Sequence, residues 1–173
     1  MRFAYADPPY IGQAHRYPEK QEVDHAELIA RLEAELPDGW ALSLSSPTLK
    51  YILNLCPDDV RVMAWVKPFC VFKPNVGVAY AWEPVIFRGG RRRTRQQPTV
   101  RDWVSANITL KKGLVGAKPE AFAYWLIDVF NLQPGDELVD VFPGTGVITR
   151  CWEEFQERQN PVQTELFDMK PSP

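Results

Sequence analysis

Histidine and cysteine are scarce in this chain of 173 residues. His15 and His25 are the only histidines, and Cys56, Cys70 and Cys151 form an odd set without ligand spacing. That argues against a disulfide framework and against a structural zinc site, and no metal is expected. Both histidines are expected to face solvent and carry no chemistry. No apolar run approaches the roughly 20 residues that span a bilayer. The opening MRFAYADPPY has neither a basic leader nor an apolar signal core, so the expected location is the cytoplasm. A net charge of −2 excludes a uniformly basic nucleic-acid binder, which shifts attention to how charge is distributed.

What the chain does have is proline, 16 of them, and these punctuate it instead of clustering. With 45% hydrophobic and 24% charged residues it has the make-up of one globular domain, taken here as residues 1–158 with a tail at 159–173. Positive charge is concentrated in RGGRRRTRQQPTVR, where Arg88, Arg91, Arg92, Arg93, Arg95 and Arg101 have no acid among them. This stretch lacks periodicity and reads as a loop, part of a basic insertion over 88–117. Such a run is commonly a solvated face.

Residues 3–6 read as a strand that stops at Asp7, because Pro8 and Pro9 cannot donate to a ladder. VDHAELIARLEAEL reads as a helix capped by Asp24, with Glu27 at capping-box spacing and Leu28, Ile29, Leu32 and Leu36 on one face. Strands are expected at 40–46, 61–67 and 79–87. Pro84 would put the last of these near a sheet edge or a bulge. Ser46 and Pro47 predict an N-cap and first turn for a short helix carrying Leu49, Ile52 and Leu53. Pro119 opens a helix with Phe122, Trp125, Leu126, Val129 and Phe130 at helical spacing. ELVDVF (137–142) is near-continuously apolar, as in a parallel sheet covered on both faces. FPGTG then leads into a helix with Val147, Ile148, Cys151, Trp152 and Phe155 inward. Strands alternating with helices predict an open parallel or mixed α/β sheet.

Ligands of such sheets bind beyond the carboxyl ends of the strands. Two strands here end in unusual loops: FAYA into Asp7-Pro8-Pro9-Tyr10, and LVDVF into Pro143-Gly144-Thr145-Gly146. The glycines permit sharp bends, yet the third glycine of a dinucleotide fingerprint would fall at Thr149, and no phosphate-loop Gly-Lys-Ser/Thr is present. Taken singly, the first loop is also an ordinary strand-ending turn, the second a tight strand-to-helix connection, and Lys118-Pro119 a helix start.

Together, D-P-P-Y closing one strand and D-x-F-x-G-x-G closing another resemble the S-adenosylmethionine-dependent amino-methyltransferases of nucleic acids, including N6-adenine and N4-cytosine DNA enzymes and the MT-A70-like group. DHAELIARL with GWALSLSS, AWVKPFCVFKP with AWEPVIFRGG, and GAKPEAF resemble further segments, so the likeness runs to about Arg158. The order is the permuted one, catalytic loop first and cofactor loop last. The resemblance implies a Rossmann-like sheet with helices on both faces, the two loop-bearing strands side by side, and both ends of the chain at one pocket.

It also implies the chemistry. The exocyclic amine of a base is a poor nucleophile because its lone pair is delocalised into the ring. Asp7 and the Pro8 carbonyl would each accept an N–H and favour a pyramidal nitrogen. Pro9 would help keep those acceptors fixed, and Tyr10 would stack on a base drawn out of its helix. Asp140 would accept the ammonium of S-adenosylmethionine, with Phe142, Gly144 and Gly146 shaping the wall and Lys118 and Pro119 bordering the pocket. Asp in the first position favours adenine over cytosine. The arginines Arg88, Arg91, Arg92, Arg93, Arg95 and Arg101 would contact phosphates, in the place of the family's recognition insertion.

The expected function is thus N6-methylation of adenine in DNA by a prokaryotic or phage-type enzyme. RNA adenine or DNA cytosine N4 methylation, or a non-catalytic nucleic-acid-binding subunit, are the alternatives, and relatives that dimerise allow a homodimer. The chain departs from the family after its glycine loop, where a further strand ending in a ribose-holding acid would follow. A fold shortened after the cofactor strand is the expectation, with Glu165 or Asp168 as substitutes for that acid. QTELF (163–167) matches the bacterial sliding-clamp peptide pattern, with Gln163, Leu166 and Phe167 as anchors; the competing reading packs Leu166 and Phe167 on the chain's own body.

Overall fold

The computed structural model describes residues 1–16, 20–70, 75–108 and 117–159. Six strands form one sheet: β1 (Arg2–Ala6), β2 (Gly39–Ser43), β3 (Arg61–Val66), β4 (Trp82–Gly89), β5 (Trp103–Ser105) and β6 (Glu137–Asp140). Their order is β5-β3-β4-β2-β1-β6. β1 runs parallel to both β2 and β6, whereas β4 is antiparallel to β2 and β3, so the sheet is mixed.

Side chains alternate between the faces with period two. Phe3, Tyr5, Ala41 and Val85 point to one face, where α3 (Glu120–Phe130) and α4 (Val147–Gln159) cover them. Ala4, Ala6, Trp40, Leu42 and Ile86 point to the other, beneath α1 (His25–Glu35) and α2 (Leu49–Leu53). Covering both faces explains why Phe3 to Ala6 are all fully buried. The α3 face is aromatic: Phe130 lies 5.3 Å from Phe3 and Phe122 lies 5.5 Å from Tyr5, centroid to centroid. That packing fixes the start of α3, and hence Lys118, against the end of β1.

Helix ends follow the sequence signals. Asp24 accepts from the amides of Ala26 and Glu27, and Asn131 closes α3 in the left-handed region at φ 55°. Ser45, not Ser46, stands at the start of the turn preceding α2.

Three expectations are corrected. Pro84 is not at an edge: β4 lies between β2 and β3, with Pro84 opposite Ala64. The Pro84 carbonyl accepts from the Leu44 amide, so its ring nitrogen also faces the β2 side, just past the last β2 pair at Ser43. The missing donor therefore falls where that ladder has run out. His25 is buried, not solvent-facing, because it begins α1 with Nδ1 2.9 Å from the Val23 carbonyl. Arg88 is not in a loop but near the end of β4. β6 has β1 as its single neighbour among the described residues, so it is an edge strand, and its side chains are only partly buried. The tail with Gln163, Glu165, Leu166, Phe167 and Asp168 lies outside the described residues. Among the described residues no helix is long and apolar enough to cross a membrane.

Candidate active site

β1 and β6 pair in register, Tyr5 opposite Asp140, and the Val141 amide donates to the Tyr5 carbonyl at 2.9 Å. Parallel pairing makes both strands end on the same side of the sheet. The loop beginning at Asp7 and the loop beginning at Val141 therefore rise next to each other, although they come from opposite ends of the described chain.

The first loop is held by charge. Asp7 Oδ2 accepts from Lys118 Nζ at 2.6 Å, across 111 residues of sequence. Lys118 immediately precedes Pro119, which occupies the N-cap of α3, and its side chain is buried. Its ammonium also lies 3.5 Å from Glu83 Oε2. That oxygen accepts from the Tyr10 hydroxyl at 2.8 Å, while Glu83 Oε1 pairs with Lys67. The ring of Trp65 lies beneath both ammonium groups, 4.9 Å from Lys67 and 5.6 Å from Lys118. Pro8 is buried, and the Gln13 amide closes the turn onto the Tyr10 carbonyl at 2.8 Å.

This network sorts its two carboxylates. Burial pushes Asp7 up from the ordinary carboxylate value, and Lys118 offsets only part of that. Glu83 feels burial too, but Lys118 and Lys67 together with hydrogen bonds outweigh it and hold it below the ordinary value. Burial opposes the Lys118 charge, yet Asp7, Tyr10, Tyr5 and Glu83 keep the ammonium well above its usual range. Glu83 is thus the firmer anion and Lys118 a persistent cation.

At the foot of the second loop, the last residue of β6 is a carboxylate with no cation paired to it among the described residues. Both Asp140 oxygens are buried and lack a hydrogen-bond partner among the described residues. Burial first, and the nearby Asp7 charge second, push its pKa up to about 6; Thr149 and the Phe142 amide pull the other way without reaching hydrogen-bond geometry. Beyond it Gly144 and Gly146 have φ of 49° and 69°, and the Gly146 amide bonds the Pro143 carbonyl at 2.6 Å. This tight turn needs glycine for its backbone angles. It does not need glycine for space, since a Cβ on Gly146 would meet nothing within 4 Å, leaving open room beside the turn. Phe142 is partly buried and packs with the core of the α1 face.

Asp7, Pro8, Pro9, Tyr10, Asp140, Phe142, Gly144, Gly146, Lys118 and Pro119 thus lie on loops at one end of β1 and β6 or at the adjoining start of α3. Lys118 contacts Asp7 directly. Glu83, Lys67 and Trp65 join them, and sequence reasoning missed all three. The available signal was an acid inside the apolar strand AYAWEPVIF.

The arginines divide. Arg88 pairs with Glu33 and, at 2.7 Å, with Asp59; Arg91 pairs with Asp136 at 2.6 Å; Arg93 donates to the carbonyls of Pro98 and Asp128. Arg92, Arg95 and Arg101 are exposed, the last with its guanidinium 5.1 Å from the ring centroid of Trp103.

The fold has solved counterparts. The crystal structure of an M1.HpyAVI–SAM complex matches with a TM-score of 0.61 and 16% identity, covering 89% of this chain and 77% of that one. The crystal structure of M1.HpyAVI matches with a TM-score of 0.59 and 17% identity, covering 89% and 76%. At such identity the likeness is one of fold: a mixed sheet flanked by helices, as in Rossmann-like methyltransferases. No family model matches the chain, and no curated protein matches it in sequence.

Proposed function

We propose that this protein is an S-adenosylmethionine-dependent methyltransferase acting on the N6 amino group of adenine in DNA. The observation that carries the reading is the register of β1 against β6, which puts Asp7 and the unpartnered Asp140 at the ends of adjacent strands. The likeness in fold to M1.HpyAVI, one of whose crystal structures is of a SAM complex, supports it. Residues 1–158 would form the methyltransferase domain, with 88–117, which begins at the end of β4 and includes β5, as its recognition insertion.

The residues fit the methyl donor. A buried carboxylate without a donor is costly unless a cation or N–H group meets it. Asp140 would accept the ammonium of the amino-acid moiety, with open space beside Gly146 for the rest. S-adenosylmethionine would supply an electrophilic methyl on a positively charged sulfur. On the other side of the pocket Asp7 and the Pro8 carbonyl would accept the two amine hydrogens of the base and direct the nitrogen lone pair at that methyl. The two prolines hold these acceptors in place beforehand, so no reorganisation is needed during reaction. Tyr10 would stack on the flipped base, its ring oriented by the bond from its hydroxyl to Glu83. Once alkylated, the nitrogen must lose a proton, and Asp7, already raised from the ordinary carboxylate value, would accept it. Arg92, Arg95 and Arg101 would contact the phosphates.

The test is incubation with labelled S-adenosylmethionine and unmethylated DNA or RNA, then digestion and identification of the modified nucleoside. N6-methyladenine from DNA is expected, abolished by Asp7→Ala. Label in RNA or in cytosine would redirect the substrate, and absence of cofactor binding would favour a non-catalytic nucleic-acid-binding subunit. A cytoplasmic location, a homodimer and a sliding-clamp contact through Gln163, Leu166 and Phe167 belong to the same reading. For the clamp, a pulldown that Leu166→Ala leaves unchanged would discard it.

A further inference from the structure

The Lys118 ammonium sits on the carboxylate that the target amine must occupy. At 2.6 Å from Asp7 it is an N–H donor in the place of a substrate N–H donor, and the two compete. An ammonium cannot simply be pushed into an apolar pocket, because an unpaired buried charge is far more costly than a paired one. A second anion lies beside it: Glu83 Oε2 is 3.5 Å from the same nitrogen, within one side-chain rotation. Lys67 and the Tyr10 hydroxyl hold Glu83 in place, and the rings of Trp65 and Phe122 line the path at 5.6 and 5.9 Å from the ammonium.

We propose that Glu83 is a second seat for the Lys118 ammonium, which moves from Asp7 to Glu83 when the target amine binds. The inference rests on the methyl-transfer reading for what displaces the ammonium. Two carboxylates and two ammonium groups, Asp7, Glu83, Lys67 and Lys118, leave the cluster neutral in both states, so the exchange needs no proton transfer. Glu83 and Lys118 are therefore positioning residues: they keep Asp7 ionised and ordered while it waits, then release it. Tyr10 shares the Glu83 oxygen that Lys118 approaches, so arrival of the ammonium also alters the bond that orients the stacking ring.

Two experiments test this. In a crystal structure of Asp7→Ala the first seat is gone, and Lys118 Nζ should lie within hydrogen-bond distance of Glu83; Asp7→Leu, which also lacks an acceptor, serves if the alanine variant does not fold. An ammonium still at position 7 or turned to solvent would overturn the second seat, whatever the activity. In kinetics, Glu83→Gln should lower kcat roughly tenfold or more while the cofactor Kd stays within about twofold. In a Lys118→Met background the same substitution should have little further effect. An equal Glu83→Gln penalty in both backgrounds would mean that Glu83 acts without Lys118, and the exchange falls. A wild-type protein that labels no nucleic acid removes the methyl-transfer reading and leaves the crystal comparison to decide the seat.

Discussion

Asp7 and Asp140 end neighbouring strands, yet their surroundings are opposite. Asp7 has an internal cation at 2.6 Å and a second acid–lysine pair behind it. Asp140, whose oxygens are shut from water, has no hydrogen-bond partner among the described residues. The contrast separates two kinds of preparation. On one side the chain's own lysines balance the carboxylates; on the other, the described residues supply a buried carboxylate with no cation beside it.

Breaking that contrast from the Asp7 side should give the largest effect. Asp7→Ala is expected to lower methyl transfer by about 10³-fold, the scale of losing a preorganised electrostatic partner, with cofactor affinity measured by calorimetry little changed. From the other side, Asp140→Asn should weaken cofactor binding by roughly 10- to 100-fold, the worth of a hydrogen bond to a charged group. A Kd that stays the same would place the ammonium elsewhere.

Acid sharpens the comparison further. The Asp140 pKa in the folded chain, about 6, is above the ordinary carboxylate value. Its contribution to stability is therefore fully present below about pH 4 and is lost as pH rises through its folded value. The melting temperature of the ligand-free protein, relative to that of Asp140→Asn, should fall between about pH 4 and pH 7. Cofactor affinity should run the other way and weaken below about pH 6, as the carboxylate takes up a proton.

The smallest effects concern the arginines, which among the described residues show the same division into paired and unpaired charge. Arg88→Ala should lower the melting temperature, because Glu33 and Asp59 lose their partner. Arg95→Ala should leave it alone. Neutralising Arg92 and Arg95 together should reduce the salt dependence of DNA binding by about one slope unit for each phosphate no longer neutralised. An unchanged slope would exclude them from the interface.

Elements governed by local chemistry are readable in the chain itself. Asp24 caps its helix, Pro119 opens another, and the apolar run before the glycine turn is a strand, because neighbours a few residues apart decide these matters. The two loops of the site are legible for the same reason: prolines and glycines mark turns wherever they occur. Features set by distant partners are not readable. Pro84 looks like an edge signal because its place depends on where β2 stops, some 40 residues earlier. Glu83 looks like one charge in a strand until β4 inserts between β2 and β3 and brings it to Lys118 and Tyr10. The arginine run reads as uniform, and only its partners at Glu33, Asp59, Asp128 and Asp136 divide it.

The edge of the sheet reaches into solution behaviour. β6 carries the Asp140 wall but has a single hydrogen-bonded neighbour among the described residues. A strand zipped along one side breathes more readily than one held along both. Deuterium should enter the amides of 137–140 faster than those of β1, and a molecule gripping Asp140 should slow that uptake. The wall would then report its own occupancy, without any need for turnover.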